Sequence, residues 1–287
     1  MIKSCARLFA DDLIMYSQIH NNNDITNFQK DLDKLNQWSQ KWEMNFNINK
    51  CHLIKISRNK VQYKHKYSLG SFILPYCDQF TYLGVTITSD LNWNMHINNI
   101  SRKATNMLNF VKRNLYFASS ECKSKAYTTL VRPHLEYASA SWDPYYHRDI
   151  LTLQKVQNRA ARFAKNNYCF TTSVSKLNSD LGWPTLESRR LSSRLCELFK
   201  SQKGDYCVPS ALLQKAEHLT RSSSTGLNFI HLSSRTNSYK YSFYPRTIVD
   251  WNDLPVEVKS APSIDSFRDR LNNYLHYHPS YHSLLLH

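Results

Sequence analysis

The amino-acid sequence predicts an α+β chain that is rich in strands over its first third and mostly helical afterwards. Aromatic and β-branched residues concentrate in short runs before residue 93, which favours antiparallel pairing. Beyond that point apolar residues recur at three- and four-residue steps, the spacing that buries one face of a helix. A loop rich in Ser and Thr, 220–238, then leads to a small C-terminal unit of helix and strand.

These patterns divide the chain into four segments. Its 287 residues are enough for one large domain or two ordinary ones. The segments are a strand-rich one, 1–93; a helical one, 94–170; a helical connector, 171–219; and the Ser/Thr-rich loop with the C-terminal unit, 220–287.

The first segment begins with a predicted β-hairpin, in which two apolar runs flank Asp11 and Asp12 at the turn. A helix is expected over about 24–43, with Asn23 or Asp24 as its N-cap. Its buried stripe consists of Ile25, Phe28, Leu32, Leu35 and Trp42. Further strands are predicted over 51–57, over 67–74 with a turn at Gly70, and over 80–87.

Helices dominate the rest of the chain. The first and last helices of the second segment are predicted from two apolar stripes: Ile97, Ile100, Ala104, Leu108, Val111 and Leu115, then Ile150, Leu153, Val156, Ala160 and Phe163. A helix between them, 120–131, should end near Pro133, because proline lacks the amide proton that a helix interior needs. We also expect helices over 186–201 and 263–275, the second capped by Ser263, and a strand over 239–249.

Composition excludes several classes of protein. With 41% apolar residues the chain can build a core, and with only 5 Gly and no phosphate-binding Gly motif a Rossmann fold or P-loop is disfavoured. Seven Cys, an odd number without a C-x-x-C pair, disfavour a disulfide framework or a zinc site and indicate an intracellular protein of the nucleus or cytoplasm. Asp11 and Asp12 interrupt the apolar stretch that a signal peptide would need, and no segment is apolar enough to span a membrane.

The net charge of +15 indicates attraction to a polyanion, with nucleic acid favoured over an anionic membrane surface and a merely solvated basic surface as the alternative. Residues 101–165 hold twelve Lys and Arg against four Asp and Glu, which leaves +8. Eight of these cations recur at helical spacing and are candidate phosphate ligands: Arg102, Lys103, Lys112, Arg113, Lys155, Arg159, Arg162 and Lys165. Four nearby aromatic residues are stacking or packing candidates: Tyr116, Phe117, Tyr145 and Tyr146.

Asp11 and Asp12 are the candidate metal ligands. At a hairpin turn both carboxylates can approach one cation, and Mg²⁺ is commonly held by one or two carboxylates together with substrate phosphates. Such a site serves phosphoryl transfer by two metal ions. The competing interpretation is a solvated turn that holds two aspartates.

The order of several motifs resembles the reverse transcriptases of non-LTR, LINE-type retrotransposons. Phe9-Ala10-Asp11-Asp12 is similar to their aromatic-x-Asp-Asp signature. Further matching stretches follow in order at 35–42, 46–51, 80–85, 90–93, 131–138, 153–162, 251–255 and 266–268. These ordered matches are distributed over most of the chain, from residue 9 to residue 268.

This resemblance implies part of a right-hand polymerase fold: a partial palm of antiparallel hairpins and a helix, then a mostly helical thumb and a small α+β C-terminal unit. Asp11 would bind Mg²⁺ directly and Asp12 more weakly, and both would be catalytic. Lys50 would stabilise or protonate the leaving pyrophosphate, although a surface role is the alternative. Leu83 and Gly84 would lie in the hairpin that grips the primer end. The implied partners are an RNA template with a DNA primer, or an RNA–DNA hybrid.

The family's third catalytic aspartate comes from a strand far upstream of the pair. Only ten residues precede Asp11 here, and none is acidic, so we expect neither the fingers nor that strand, and an upstream polymerase portion would be a further partner. The isolated chain is therefore not expected to polymerise. The alternatives are a non-catalytic module that binds RNA or an RNA–DNA hybrid, and an inert remnant of a decayed element.

Overall fold

The computed structural model describes residues 3–57, 65–205, 208–216 and 226–277, and the chain forms two units, 1–92 and 93–287. All the strands among the described residues lie in the first unit. The described regular structure of the second unit is helical, apart from an isolated β-bridge between Lys215 and Phe229. This architecture confirms the α+β class.

The first unit consists of short strand pairs around one long helix. Its elements are β1 (Cys5–Phe9), β2 (Asp12–Tyr16), α1 (Asn22–Lys41), a 3₁₀ turn (Ile48–Lys50), β3 (Leu53–Ile54), β4 (Ser68–Leu69), β5 (Phe72–Ile73), β6 (Tyr76–Cys77), β7 (Gln79–Tyr82) and β8 (Val85–Thr88). Three antiparallel hairpins, β1–β2, β4–β5 and β7–β8, accompany a parallel pair, β3–β6. The predicted strand over 51–57 is thus reduced to the two residues of β3.

The start of α1 differs from the prediction. Its N-cap is Asn21, whose side chain accepts hydrogen bonds from the backbone N–H groups of Asn23 and Asp24. Asp24 is the third helical residue, and its carboxylate accepts from the Asn21 N–H at 3.1 Å, which completes a capping box. Asn23 and Asp24 therefore lie inside the helix.

The core of the first unit lies between α1 and the strands that follow it. Ile25, Phe28 and Leu32 pack with Tyr67, Leu69 and Leu74. Leu35 contributes partly buried surface, whereas Trp42 is 61% exposed. Trp42 leaves the predicted stripe because it is the C-cap of α1, where the helical repeat has ended.

A buried carboxylate of α1 fixes the start of β1. Asp31 Oδ2 accepts hydrogen bonds from the backbone N–H groups of Lys3 and Ser4 and from Ser4 Oγ, at 2.8–2.9 Å. Burial alone would raise the pKa of Asp31, but the hydrogen bonds from Ser4 and Lys34 outweigh burial and lower that pKa to about 2.

Replacing Asp31 with Asn should therefore lower the free energy of unfolding of the first unit by about 2 kcal/mol. Folding lowers this pKa, so the wild-type contribution is present above the ordinary value of 3.8 and is lost as the pH falls toward 2. Urea unfolding at pH 7, with hydrogen exchange of the β1 amides, measures the effect. Asp33→Asn, at an exposed position of the same helix, is the control, and equal losses in both variants would contradict the prediction.

The second unit is built from helices of very different length. They are α2 (Asn94–Asn114), α3 (Ser120–Ala126), a π-helical turn (Tyr127–Val131), α4 (Arg132–Glu136), α5 (Ser139–Trp142), α6 (His147–Ala164), α7 (Val174–Asp180), α8 (Leu186–Lys203), a 3₁₀ turn (Ser210–Leu212), α9 (Asn237–Lys240), α10 (Phe243–Asn252), α11 (Val256–Lys259) and α12 (Ile264–Tyr277).

The predicted stripes of α2 and α6 are confirmed, because every member except the half-buried Leu115 is buried. The two helices pack against each other. The predicted stop at Pro133 is wrong. The chain passes through the π-helical turn into α4, whose first turn holds Pro133, a position that needs no amide proton.

The strand expected over 239–249 is also wrong, since α9 and α10 occupy this stretch. Ile248 and Trp251 are three residues apart on the buried side of α10, and Trp251 lies 5.6 Å from the ring of Phe267. Ser263 caps α12 as predicted by accepting a hydrogen bond from the Ser266 N–H. Residues 220–225 of the Ser/Thr-rich loop lie outside the described residues.

Candidate nucleic-acid interface

Two helix faces of the second unit carry the predicted basic residues. On α6, Lys155, Arg159 and Arg162 are spaced four and three residues apart, on the side opposite the buried Ala160. On α2, Arg102 and Arg113 are about three turns apart and share the face opposite the buried Ala104. The helical repeat therefore places most of the predicted phosphate ligands on solvent-facing sides of two packed helices.

None of the eight predicted cations forms an ion pair with another described residue. The four acidic residues of 101–165 are engaged elsewhere, by cations outside the predicted set: Glu121 with Lys125, Glu136 with Arg189, Asp143 with Arg190, and Asp149 with Arg148. The positive charge of the two helix faces is thus left uncompensated within the described part of the chain.

Lys112 of α2 lies close to α6. Lys112 is half-buried, and its Nζ lies 5.8 Å from the centroid of the Phe163 ring on α6. Burial lowers the pKa of Lys112, and the nearby positive charge of Arg159 lowers it further. The positive charges of Lys112 on α2 and Arg159 on α6 therefore repel each other, and an anion bound near both would relieve this repulsion.

Lys123 is a third cation at this contact, and the sequence did not single it out. It is 1% exposed, its Nζ lies 4.8 Å from the Phe163 centroid, and the ammonium donates a hydrogen bond to Asn166 Oδ1 at 2.8 Å. Helical periodicity alone marks Lys123 as one more polar residue of a short helix. Its burial depends on α6, which lies about forty residues away in the sequence.

Arg162 and Lys165 differ from the other predicted ligands. The Arg162 guanidinium donates hydrogen bonds to three backbone carbonyls of the loop after α6, those of Asn167, Cys169 and Thr172. Lys165 is the half-buried C-cap residue of α6. Arg162 therefore holds the loop, and its contribution to phosphate binding stays a prediction.

The structure separates the four predicted aromatic residues into two kinds. Tyr145 stacks on Tyr241, with ring centroids 4.2 Å apart, and is in contact with Tyr146. Tyr116 and Phe117, by contrast, are 64% and 97% exposed.

Two further exposed aromatic residues, Tyr168 and Phe170, were missed by the sequence analysis. They are 60% and 91% exposed and lie in the loop after α6. The signal that could have identified them is the Asn166-Asn167 pair, which is typical of a helix end followed by a turn.

The predicted acidic hairpin of the first unit is present, with Asp11 in its turn and Asp12 as the first residue of β2. Phe9 pairs with Asp12, so the turn consists of Ala10, with φ 51°, and Asp11. Both carboxyl residues are exposed, and their oxygens are the ligands that Mg²⁺ prefers. Their chemistry therefore fits a magnesium ion that is also bound by substrate phosphates. No cluster of three or more His, Cys, Asp or Glu residues suited to a metal occurs among the described residues.

The remaining predicted site residues lie elsewhere in the first unit. Lys50 is exposed at the end of the 3₁₀ turn. Leu83 and Gly84 form the two-residue turn between β7 and β8, with φ values of 46° and 79°. Positive φ at both positions is the geometry of a tight type I′ hairpin, and it explains the glycine at position 84.

Comparison of this chain with protein-family models, curated proteins and solved structures found no match. In the part of the chain that the structure describes, no helix has both the length and the apolar character needed to cross a membrane.

Proposed function

We propose that this chain is part of a LINE-type reverse transcriptase, and that its helical unit binds the backbone of an RNA–DNA hybrid or of an RNA template paired with a DNA primer. The observation that carries the proposal is the set of basic residues on α2 and α6 that have no acidic partner among the described residues. Each phosphate that such a residue neutralises releases a counterion, so binding gains free energy at low salt.

The repulsion between Lys112 and Arg159 favours a backbone ligand over diffuse attraction. Their mutual repulsion is already built into the folded unit and contributes to the lowered pKa of Lys112. A phosphate between the two cations would replace repulsion with attraction on both sides, and Arg159 can bind it with two parallel hydrogen bonds. The helical unit would then correspond to a polymerase thumb.

In the same proposal the first unit is part of the palm. Asp11 and Asp12 would hold Mg²⁺, which neutralises charge on the transferred phosphoryl group when it is bound. The exposed ammonium of Lys50 is suited to the pyrophosphate, and the Leu83-Gly84 turn to the primer end. Template-directed incorporation of dNTPs by the purified chain, lost in Asp11→Ala, would assign nucleotidyl transfer to it. Hybrid binding without incorporation would assign it the binding role alone.

Replacing Lys155 and Arg159 together with Gln should weaken hybrid binding at every salt concentration and lower the slope of log affinity against log salt by about 2, because two phosphate contacts are lost. Fluorescence anisotropy with a labelled blunt RNA–DNA hybrid measures both quantities. The thermal midpoint of each variant shows that it remains folded.

The matched control removes the same charge from another place. Lys176 and Arg235 are exposed, and neither forms an ion pair with a described residue. Lys176→Gln with Arg235→Gln should leave the slope nearly unchanged. If both double variants lower the slope equally, the interaction depends on net charge alone, and the proposed interface is wrong.

A further inference from the structure

Four exposed aromatic side chains are gathered at one end of the α2–α6 pair. Phe117 and Phe170, at 97% and 91%, are the two most exposed large apolar side chains in the described part of the chain. Tyr116 packs edge-on against Phe117, with ring centroids 5.0 Å apart. The two loops lie close together, because Lys112, one turn before Tyr116, places its Nζ 5.8 Å from the ring centroid of Phe163 in the last turn of α6, just before the loop of Tyr168 and Phe170. We call these four residues, Tyr116, Phe117, Tyr168 and Phe170, the loop platform.

The loop that carries Tyr168 and Phe170 is held in place by hydrogen bonds on both sides. Arg162 binds its carbonyls at Asn167, Cys169 and Thr172, the closest at 2.7 Å. The buried Lys123 binds the side chain of Asn166 at the start of the loop. The side chains of Arg162 and Lys123 thus hold the backbone of this loop in place, while its aromatic rings are exposed to water.

Exposed aromatic residues on a fixed backbone indicate a binding surface, because apolar side chains are normally withdrawn from water. The charge around the loop platform indicates the partner. Lys112 and Arg113 lie in the last turn of α2, shortly before Tyr116, and Lys165 is the C-cap of α6, shortly before Tyr168. Aromatic rings beside cations suit unpaired nucleotides, in which every base has a face for stacking and every linkage has a phosphate.

We propose that the loop platform stacks on unpaired bases of a single-stranded extension that continues from a hybrid bound along α2 and α6. This inference rests on the function proposed above and adds a single-strand site to it. The platform would recognise the end of the duplex without reading base identity, since stacking is tolerant of sequence.

The test compares a blunt RNA–DNA hybrid with the same hybrid carrying a single-stranded extension that contains 2-aminopurine. The wild-type chain should bind the extended hybrid roughly tenfold more tightly than the blunt one and should quench the 2-aminopurine fluorescence. Phe117→Ala with Phe170→Ala should lose both effects while retaining the affinity for the blunt hybrid. Phe117→Tyr with Phe170→Tyr should keep both, because a ring remains at each position.

Tyr277→Ala is the matched control, since Tyr277 is a 77% exposed aromatic residue at the end of α12. An extension effect that survives in the Phe117→Ala, Phe170→Ala variant would overturn the inference. So would equal affinity of the wild type for both hybrids, while the binding function proposed for the helices would stand. Absence of binding to either hybrid would instead refute that function. Binding to anionic vesicles that needs both Phe residues, without an extension effect, would assign the platform to a membrane surface and overturn the inference.

Discussion

Replacing Asp143 with Asn should lower the free energy of unfolding of the helical unit by about 4 kcal/mol. The Asp143 carboxylate is buried and is bound by three guanidinium groups, at 2.6 Å by Arg190 Nε, at 2.8 Å by Arg194 Nε and at 3.3 Å by Arg246 Nη1. Asn keeps the shape but removes the charge. Three buried or half-buried cations would then share the single remaining carboxylate of the cluster, Asp250, which pairs with Arg194 at 2.8 Å.

This loss has a defined pH dependence in the wild-type chain. Burial opposes ionisation of Asp143, but the charges of Arg246, Arg194 and Arg190 outweigh it and hold the pKa of that carboxyl below its ordinary value of 3.8. A carboxyl whose pKa is lowered by folding stabilises the protein above the unfolded value and loses this effect as the pH falls through the folded one. The contribution of Asp143 should therefore persist at pH 5 and disappear only in stronger acid.

Urea unfolding followed by far-ultraviolet circular dichroism at pH 7 measures the change, because the unit is helical. Asp265→Asn is the matched control. Its carboxylate is 83% exposed and pairs with Arg268 at the surface, so a change of less than about 0.5 kcal/mol is expected. An Asp143→Asn chain that unfolds at the same urea concentration as the control would show that the cluster contributes no net stability.

Asp143 also shows where prediction from sequence ends. Local periodicity was sufficient to predict the apolar stripes of α2 and α6. The spacing of residues within one helix determines which of them share the buried face and which lie on the basic face opposite. The partners of Asp143 are 47, 51 and 103 residues away, and no spacing rule connects them. The burial of Lys123 under α6 escaped prediction for the same reason.

The misread stretch 239–249 failed for a different reason. Its aromatic and β-branched residues favour a strand, and the prediction followed from this preference alone. The three-residue step from Ile248 to Trp251 buries both side chains on one side of a helix, against the core formed with α8 and α12. Tertiary packing overrode local preference there. At the acidic hairpin, by contrast, local chemistry and the fold agree. The single strand predicted over 80–87 is wrong, because a tight turn at Leu83-Gly84 divides it into the hairpin β7–β8.

The second large effect concerns His96 at the start of α2. This residue should make the stability of the helical unit depend on pH in a range above that in which Asp143 titrates. His96 is 2% exposed and packs edge-on against Trp142, with ring centroids 5.0 Å apart. Burial lowers the pKa of His96 to about 4, and the positive charge of Lys103 contributes in the same direction.

The unfolded chain takes up a proton at this histidine near the ordinary pKa of 6.5, whereas the folded chain does so only near 4. Between these values the unfolded state binds more protons, so stability falls as the pH falls. The total loss is about 3 kcal/mol from pH 7 to below 4, at about 1.4 kcal/mol for each unit of pKa difference. The pH range in which His96 destabilises the unit ends near the pH at which the stabilising contribution of Asp143 begins to disappear.

His96→Phe keeps a ring against Trp142 but cannot bind a proton, so it should flatten the pH dependence between 6.5 and 4. His96→Gln, which is also unable to titrate there, checks that the flattening does not depend on the aromatic replacement. The exposed His147 gives the control variant His147→Gln, which should retain the wild-type profile. If both His96 variants lose stability with falling pH as steeply as the wild type, another group carries the acid sensitivity, because a site that cannot bind a proton cannot contribute to the slope.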